Sequence, residues 1–264
     1  MVKTIPHFFI FAICVRTMYY CRYMKKETFT RINKYLADNN YCSRREADQL
    51  IKAGNVLING KKAHLGDKVG SDDTVEVPKR SHMPRVYYAY YKPAGIVTVG
   101  AQEGEKEIAD RARFPIPVFP LGRLDKDSEG LLIMTNDGRI TEPLLHPSAR
   151  HEKEYSVTVA RPITHVFLVG MREGQRIGRV DKIPNYKTRP TKIRRTSKLS
   201  FDIVLTEGKN RQIRKMVGAL GNNVLTLKRF RIINITLGNL KAGQWREIKG
   251  RALTEFLNAL GIEQ

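Results

Sequence analysis

Pro78 and Pro84 bracket the run Lys79-Arg80-Ser81-His82-Met83, and Arg85 extends it. A basic stretch with no apolar period and a proline at each end continues neither a helix nor a central strand, so it reads as a linker. It divides the chain into a small module over 29–78, a linker over 79–85 and a larger body over 86–264. A length of 264 residues agrees with two domains at the usual size of about 150 residues each. Hydrophobic residues make up 41% of the chain, enough to bury a core, which excludes wholesale disorder.

Ahead of the module, residues 1–28 are expected to be an extension, disordered or arising from an upstream start, because Met24 opens a conventional soluble beginning (MKKETFTRINKYL). Its apolar run from Ile5 to Val15 holds Pro6 and His7 and is far short of the about 20 residues a spanning helix needs. The tyrosines and arginines that follow it do not make a signal-peptide cleavage site. No membrane partner is expected. The cysteines, Cys14, Cys21 and Cys42, are odd in number and form no CxxC, so neither a disulfide framework nor a zinc module is suggested and a cytoplasmic location follows.

In the module, Thr30 is a suitable N-cap for a short helix with Ile32, Tyr35 and Leu36 on one face. Ser43-Arg44-Arg45-Glu46 has the form of a capping box and leads into a second helix with Ala47, Leu50 and Ile51 buried, closed by Gly54. Val56-Leu57-Ile58, the turn Asn59-Gly60 and Lys61-Lys62-Ala63 read as a hairpin, with a further strand from Thr74 to Val77. RINKYLA at 31–37, SRREADQLI at 43–51 and GNVLINGK at 54–61 resemble the alpha-L RNA-binding motif. Arg31, Lys34, Arg44, Arg45, Lys61 and Lys62 would then offer cations to a phosphate backbone. The same residues also suit solvated surfaces, since residues 29–80 carry 10 basic and 7 acidic groups.

The body reads as α+β, with β-prone runs at Val86–Tyr91, Gly130–Thr135, Tyr155–Val159, Leu199–Leu205 and Val224–Arg229 and a helix over Gln212–Leu220. GxGxxG, Walker, HExxH and GxSxG motifs are all missing, which leaves nucleotide-cofactor, zinc-protease and α/β-hydrolase chemistry unsupported. The stretch Pro120 to Gly138, PLGRLDKDSEGLLIMTNDG, places a polar loop on a buried apolar strand. Such a mounting aims a carboxylate from a rigid base, which makes Asp125 the candidate catalytic group. By spacing alone, Asp125 suits equally a loop ion pair with Arg123 or Lys126, and Tyr155 suits a strand tyrosine that covers a core.

GRLDKDSEGLLIMTNDG at 122–138, EKEYSVTV at 152–159 and GKNRQIRKM at 208–216, in that order behind an alpha-L-like module, resemble the bacterial rRNA pseudouridine synthases that act on 16S and 23S rRNA. YKPAG at 91–95 and RIINITLGNLKAGQWREI at 231–248 are similar to the branch acting on 23S rRNA and sometimes on tRNA. The resemblance implies a catalytic domain on a mixed, largely antiparallel sheet with flanking helices. It also implies isomerisation of a uridine without cofactor or metal. Asp125 would be the catalytic aspartate, Arg123 a residue that holds the RNA open, Tyr155 the ring that packs on the target uracil, Ile213 the aliphatic residue beneath it, and Arg214 the arginine paired with Asp125.

Charge agrees with an RNA substrate. The chain carries a net +21, and two runs supply +15 of it: 172–198, with ten basic and two acidic residues, and 209–231, with seven basic residues and no acidic one. Lys209, Arg211 and Lys215 in the second run are further candidate RNA contacts. Two other functions fit parts of the pattern: an rRNA chaperone with no reaction, and a metal-dependent nuclease in which Asp125 and Asp127 share a cation. One active site in one domain calls for no protein partner, so a monomer is expected.

Overall fold

The structure is a computed structural model that describes residues 29–39, 41–77, 84–178, 180 and 183–263. The expected extension over 1–28 and linker residues 79–83 lie outside the described residues. The chain divides into two compact units between residues 82 and 83.

The first unit runs β1 (Thr30–Arg31), α1 (Ile32–Asp38), α2 (Arg44–Lys52), β2 (Leu57–Ile58), β3 (Lys61–Lys62), β4 (Lys68–Val69) and β5 (Val75–Glu76). Ile32, Leu36, Ala47, Ile51 and Val56 form its core, as the helical spacing requires. The capping box is present: Ser43 Oγ accepts from the Glu46 amide, and the Glu46 carboxylate accepts from the Ser43 amide. Asn59 and Gly60 both have positive φ, 51° and 75°, the geometry of the two-residue turn joining β2 to β3. Thr30 is not the cap of α1. It pairs with Val69, Arg31 takes the N-cap position without a side-chain bond, and the Asp67 carbonyl accepts from the Ile32 amide at 2.8 Å.

The second unit contains β6 (Tyr87–Lys92), β7 (Phe119–Leu121), β8 (Glu129–Thr135), β9 (Lys153–Val159), β10 (Lys192–Arg195), β11 (Ser200–Leu205), β12 (Val224–Ile232), β13 (Ile235–Thr236) and β14 (Trp245–Glu247). They make one mixed sheet in the order β10-β11-β9-β12-β8-β6-β14, with β7 beside β8 and β13 beside β12. The pairings are antiparallel except that of β8 with β12, where Lys228 lies opposite Glu129 and Arg229 opposite Gly130. Its helices are α3 (Ile108–Arg111), α4 (Thr141–Leu145), α5 (His165–Glu173), α6 (Gln212–Ala219) and α7 (Arg251–Ala259). This is the α+β class expected from the sequence.

Both faces of the central strands are covered, so β6 is buried throughout. Tyr87, Ala89 and Tyr91 join Phe256 and Leu257 of α7, while Tyr88 and Tyr90 face Ile108, Phe114 and Trp245. A third apolar cluster joins β9, β11 and β12 to Phe167 and Met171 of α5 and to Ile213, Met216 and Val217 of α6. Packing on both faces thereby holds the sheet where the loop between β7 and β8 leaves it.

Candidate active site

Asp125 lies half-buried in the turn between β7 and β8. Its backbone is fixed from two sides. On one, the buried Thr98 hydroxyl donates to the Leu124 carbonyl at 2.7 Å and accepts from the Leu124 amide at 3.1 Å. On the other, the fully buried Lys92 ammonium donates to the carbonyls of Pro93 and Ser128, both at 2.8 Å, and of Lys126 at 3.4 Å. The Ser128 amide closes the turn onto the Asp125 carbonyl at 3.0 Å. Burial lowers the Lys92 pKa to about 8, against the attraction of Asp125, Asp127 and Glu129. A charge held at this cost with three carbonyl acceptors serves to stiffen the loop that carries the carboxylate.

Asp125 opens into a cleft of about 680 Å³ whose lining includes Arg123, Tyr155, Ile213, Lys209 and Arg211. Tyr155 is 8% exposed and Ile213 3%, and both also belong to the apolar core. Tyr155 therefore packs in the core, as the core reading expects, and also lines the cleft. Glu207 fixes the opposite wall. Its buried carboxylate accepts from the Tyr186 hydroxyl at 2.6 Å, Gln212 Nε2 at 2.7 Å and the Arg189 amide at 3.1 Å. Lys209 lies over the Tyr186 ring, 5.3 Å from its centre.

The expected ion pair between Arg214 and Asp125 is not formed. Arg214 instead donates to the Asp127 carbonyl at 2.9 Å and the Val224 carbonyl at 3.2 Å. The arginine sits on α6 next to the start of β12, and these two acceptors draw its guanidinium to the backbone around Asp125 rather than to the carboxylate. Its Nε is buried without a partner. Asp127 is exposed and pairs with Arg211 at 3.8 Å. Among the described residues no group of three or more His, Cys, Asp or Glu is placed to hold a metal ion.

Lys215 is half-buried on α6 and is not in the cleft lining, whereas Arg123 is exposed at its rim. In the first unit Arg31, Lys34, Arg44, Arg45, Lys61 and Lys62 are all exposed, and among the described residues none of them forms an ion pair. Arg44 and Arg45 occupy the first turn of α2, where the helix dipole disfavours cations and favours a bound anion. Sequence reasoning missed Thr98, Glu207 and the role of Lys92. Only Lys92 gave a signal, as the lysine of YKPAG.

Residues 86–219 match the family model described as RNA pseudouridylate synthase, and residues 30–75 match that of the S4 domain. The chain is 41% identical over 244 residues to a dual-specificity RNA pseudouridine synthase RluF of Salmonella typhi, covering 90% of this chain and 82% of that protein. It is 36% identical over 229 residues to the ribosomal large subunit pseudouridine synthase B of Bacillus subtilis, covering 83% and 91%. A crystal structure of a pseudouridylate synthase superposes with a TM-score of 0.62 at 25% identity, covering 87% of this chain and 99% of that one. An aspartate on a clamped loop and a tyrosine lining the same cleft, in a chain that also carries an S4 domain, are thus found in a member of the RNA pseudouridine synthase family.

Proposed function

We propose that this enzyme isomerises a uridine of 23S rRNA with Asp125 as its catalytic carboxylate, and that tRNA is a second substrate. The observation that carries the reading is that Asp125, Tyr155 and Ile213 line one cleft, with Asp125 on a loop whose carbonyls from Leu124 to Ser128 all accept hydrogen bonds. Breaking the bond between uracil N1 and ribose C1′ leaves the sugar electron-poor. A carboxylate answers that either by adding to C1′ or by taking a proton from the neighbouring carbon, and both need it ionised and aimed. Extruding the base costs a few kcal/mol, which stacking on an aromatic ring offsets by about 1–3 kcal/mol. Tyr155 and Ile213 supply that slot. Arg123, Lys209 and Arg211 at the cleft, Arg214 and Lys215 on α6 and the free cations of the first unit supply the phosphate contacts and the Asp125 support. The reaction uses no cofactor, a cleft built within one unit supports a monomer, and an rRNA substrate implies an enzyme of the cytoplasm.

The test is Asp125→Asn assayed on 23S rRNA and tRNA transcripts by mapping pseudouridine. Turnover is expected to fall by about three or more orders of magnitude, with RNA affinity kept. Wild-type-like turnover in this variant would refute the assignment, and modification confined to another RNA would refute the substrate.

A further inference from the structure

The cleft floor carries two cations for which the roles above have no use. Lys153 lies two residues before Tyr155 on β9, so both side chains stand on one face of the sheet. Arg229 lies directly opposite Tyr155 on β12, and Lys153 is opposite Ile232. All four line the cleft that Asp125 faces. Arg229 is 4% exposed; its Nε donates to the Leu131 carbonyl at 2.8 Å, and its Nη2 is buried without a partner. Lys153 has one long bond, 3.4 Å, to the His151 carbonyl.

Neither cation forms an ion pair among the described residues. The acids beside Lys153 in sequence, Glu152 and Glu154, are taken by Arg231 and Lys192. An unpaired buried cation such as Arg229 is costly, and more so with the half-buried ammonium of Lys153 near it. Kept on the floor of a cleft, they mark the place of an anion that arrives with the substrate. A backbone phosphate stays with the strand at the rim, where Arg123 and Arg211 are exposed. The depth of Lys153 and Arg229 beside the tyrosine instead matches the base.

We infer that Lys153 and Arg229 stabilise the uracil ring as it becomes anionic, Lys153 as the hydrogen-bond donor to a ring carbonyl oxygen and Arg229 as the positive group behind it. When C1′–N1 breaks, the electron pair stays on N1 and spreads to O2 and O4. Asp125 meets the positive charge left on C1′, and Lys153 meets the negative charge on the ring. No proton is transferred by Lys153. After the ring turns, C5 bonds to C1′, the C5 proton passes to the Asp125 carboxylate or to water and N1 takes a proton from water, so the ring is anionic beside the two cations only while the base is detached. The inference deepens the cleft assignment proposed above and depends on it for the position of the base.

The experiment is Lys153→Met and Lys153→Arg in the full chain, assayed by single-turnover disappearance of the target nucleoside in RNA carrying uridine or 5-fluorouridine. Fluorine already stabilises the departing ring anion. Lys153→Met is expected to slow the uridine reaction by about 100-fold, as for the loss of one oxyanion donor. On 5-fluorouridine the loss should shrink to about tenfold or less, with Lys153→Arg restoring most of both rates. RNA affinity should not change. Equal losses on the two bases would overturn the inference, as would a loss of affinity with a salt slope lowered by about one, which marks a phosphate contact. Methionine keeps the stem and removes a buried charge, so melting should be unchanged or raised. Asp125→Asn on the same two RNAs separates failure of the aspartate assignment from failure of this one.

Discussion

Gly130 stands where β8 and β12 run parallel, and replacing it with alanine tests how the cleft floor is held. Its φ is +108°, outside the left-handed helical region that other residues visit, and a Cβ there would overlap the Arg229 carbonyl oxygen and come within 2.7 Å of the Arg229 nitrogen. The backbone strain costs about 1–3 kcal/mol and the forced shift of a packed strand about another 1–3 kcal/mol. Alanine recovers about 0.4–1 kcal/mol by restricting the unfolded chain, leaving a net loss of roughly 1–5 kcal/mol. For a unit of this size that lowers Tm by about 2–20 °C, at about 2–4 °C per kcal/mol. The assay is thermal unfolding followed by circular dichroism, beside Gly218→Ala. Gly218 sits in α6 with nothing within 4 Å of an added Cβ, so that variant should be unchanged or up to about 1 kcal/mol more stable. If Gly130→Ala melts together with Gly218→Ala, the close approach of the two backbones does not hold the floor as argued.

Two further expectations concern titration. Burial lowers Lys92, and burial followed by the charge of Arg229 lowers Lys153, each to about 8. Between pH 8 and the ordinary lysine value of about 10.4 the unfolded chain therefore binds more protons, and stability should rise with pH, by up to ~3 kcal/mol for Lys92. Urea denaturation from pH 7 to 10 should show this rise and Lys92→Met should reduce it; a flat or falling profile contradicts it. Above about pH 10 the gain reverses, because Tyr91, raised to about 12 by burial and by Glu129, resists ionising in the folded state. At the acid end, Asp137 is 1% exposed and accepts from the Tyr87 hydroxyl at 2.5 Å and from Arg139 at 2.8 Å. Burial pushes its carboxyl up, but these bonds hold it below the usual range. Its contribution is present above about pH 4 and lost as pH falls further. Asp137→Ala should cost about 3–5 kcal/mol at neutral pH by stranding Arg139 and Tyr87, and a midpoint within 0.5 kcal/mol of wild type would remove that account.

What the sequence made legible was mostly local. Ser43 and Glu46 cap α2 through bonds three residues apart, Asn59-Gly60 turns a hairpin, and the β-prone runs around 87, 130, 155, 201 and 227 became neighbouring strands. Asp125, Tyr155 and Ile213 could be placed together only through resemblance, because no spacing along the chain shows that three distant segments meet. Thr98 was out of reach, and Lys92 was visible only as the lysine of YKPAG without its role, for a related reason: each acts on backbone carbonyls supplied by another segment, and a carbonyl has no residue identity to read. Arg214 shows the converse: the resemblance pairs it with Asp125, whereas its partners here are the carbonyls of Asp127 and Val224, which only packing selects. Thr30 lost its capping role to a pairing with Val69, a long-range contact that outweighed a local preference.

The parallel seam between β8 and β12 joins residues 129–130 to residues 228–229. During synthesis the front module and the Asp125 loop leave the ribosome long before that partner strand exists, and domains tend to fold from the N-terminal end as they emerge. A nascent chain can therefore complete its front unit while the second unit still lacks β12. The strand that follows the Asp125 loop gains its parallel neighbour only once residues 228–229 have been made.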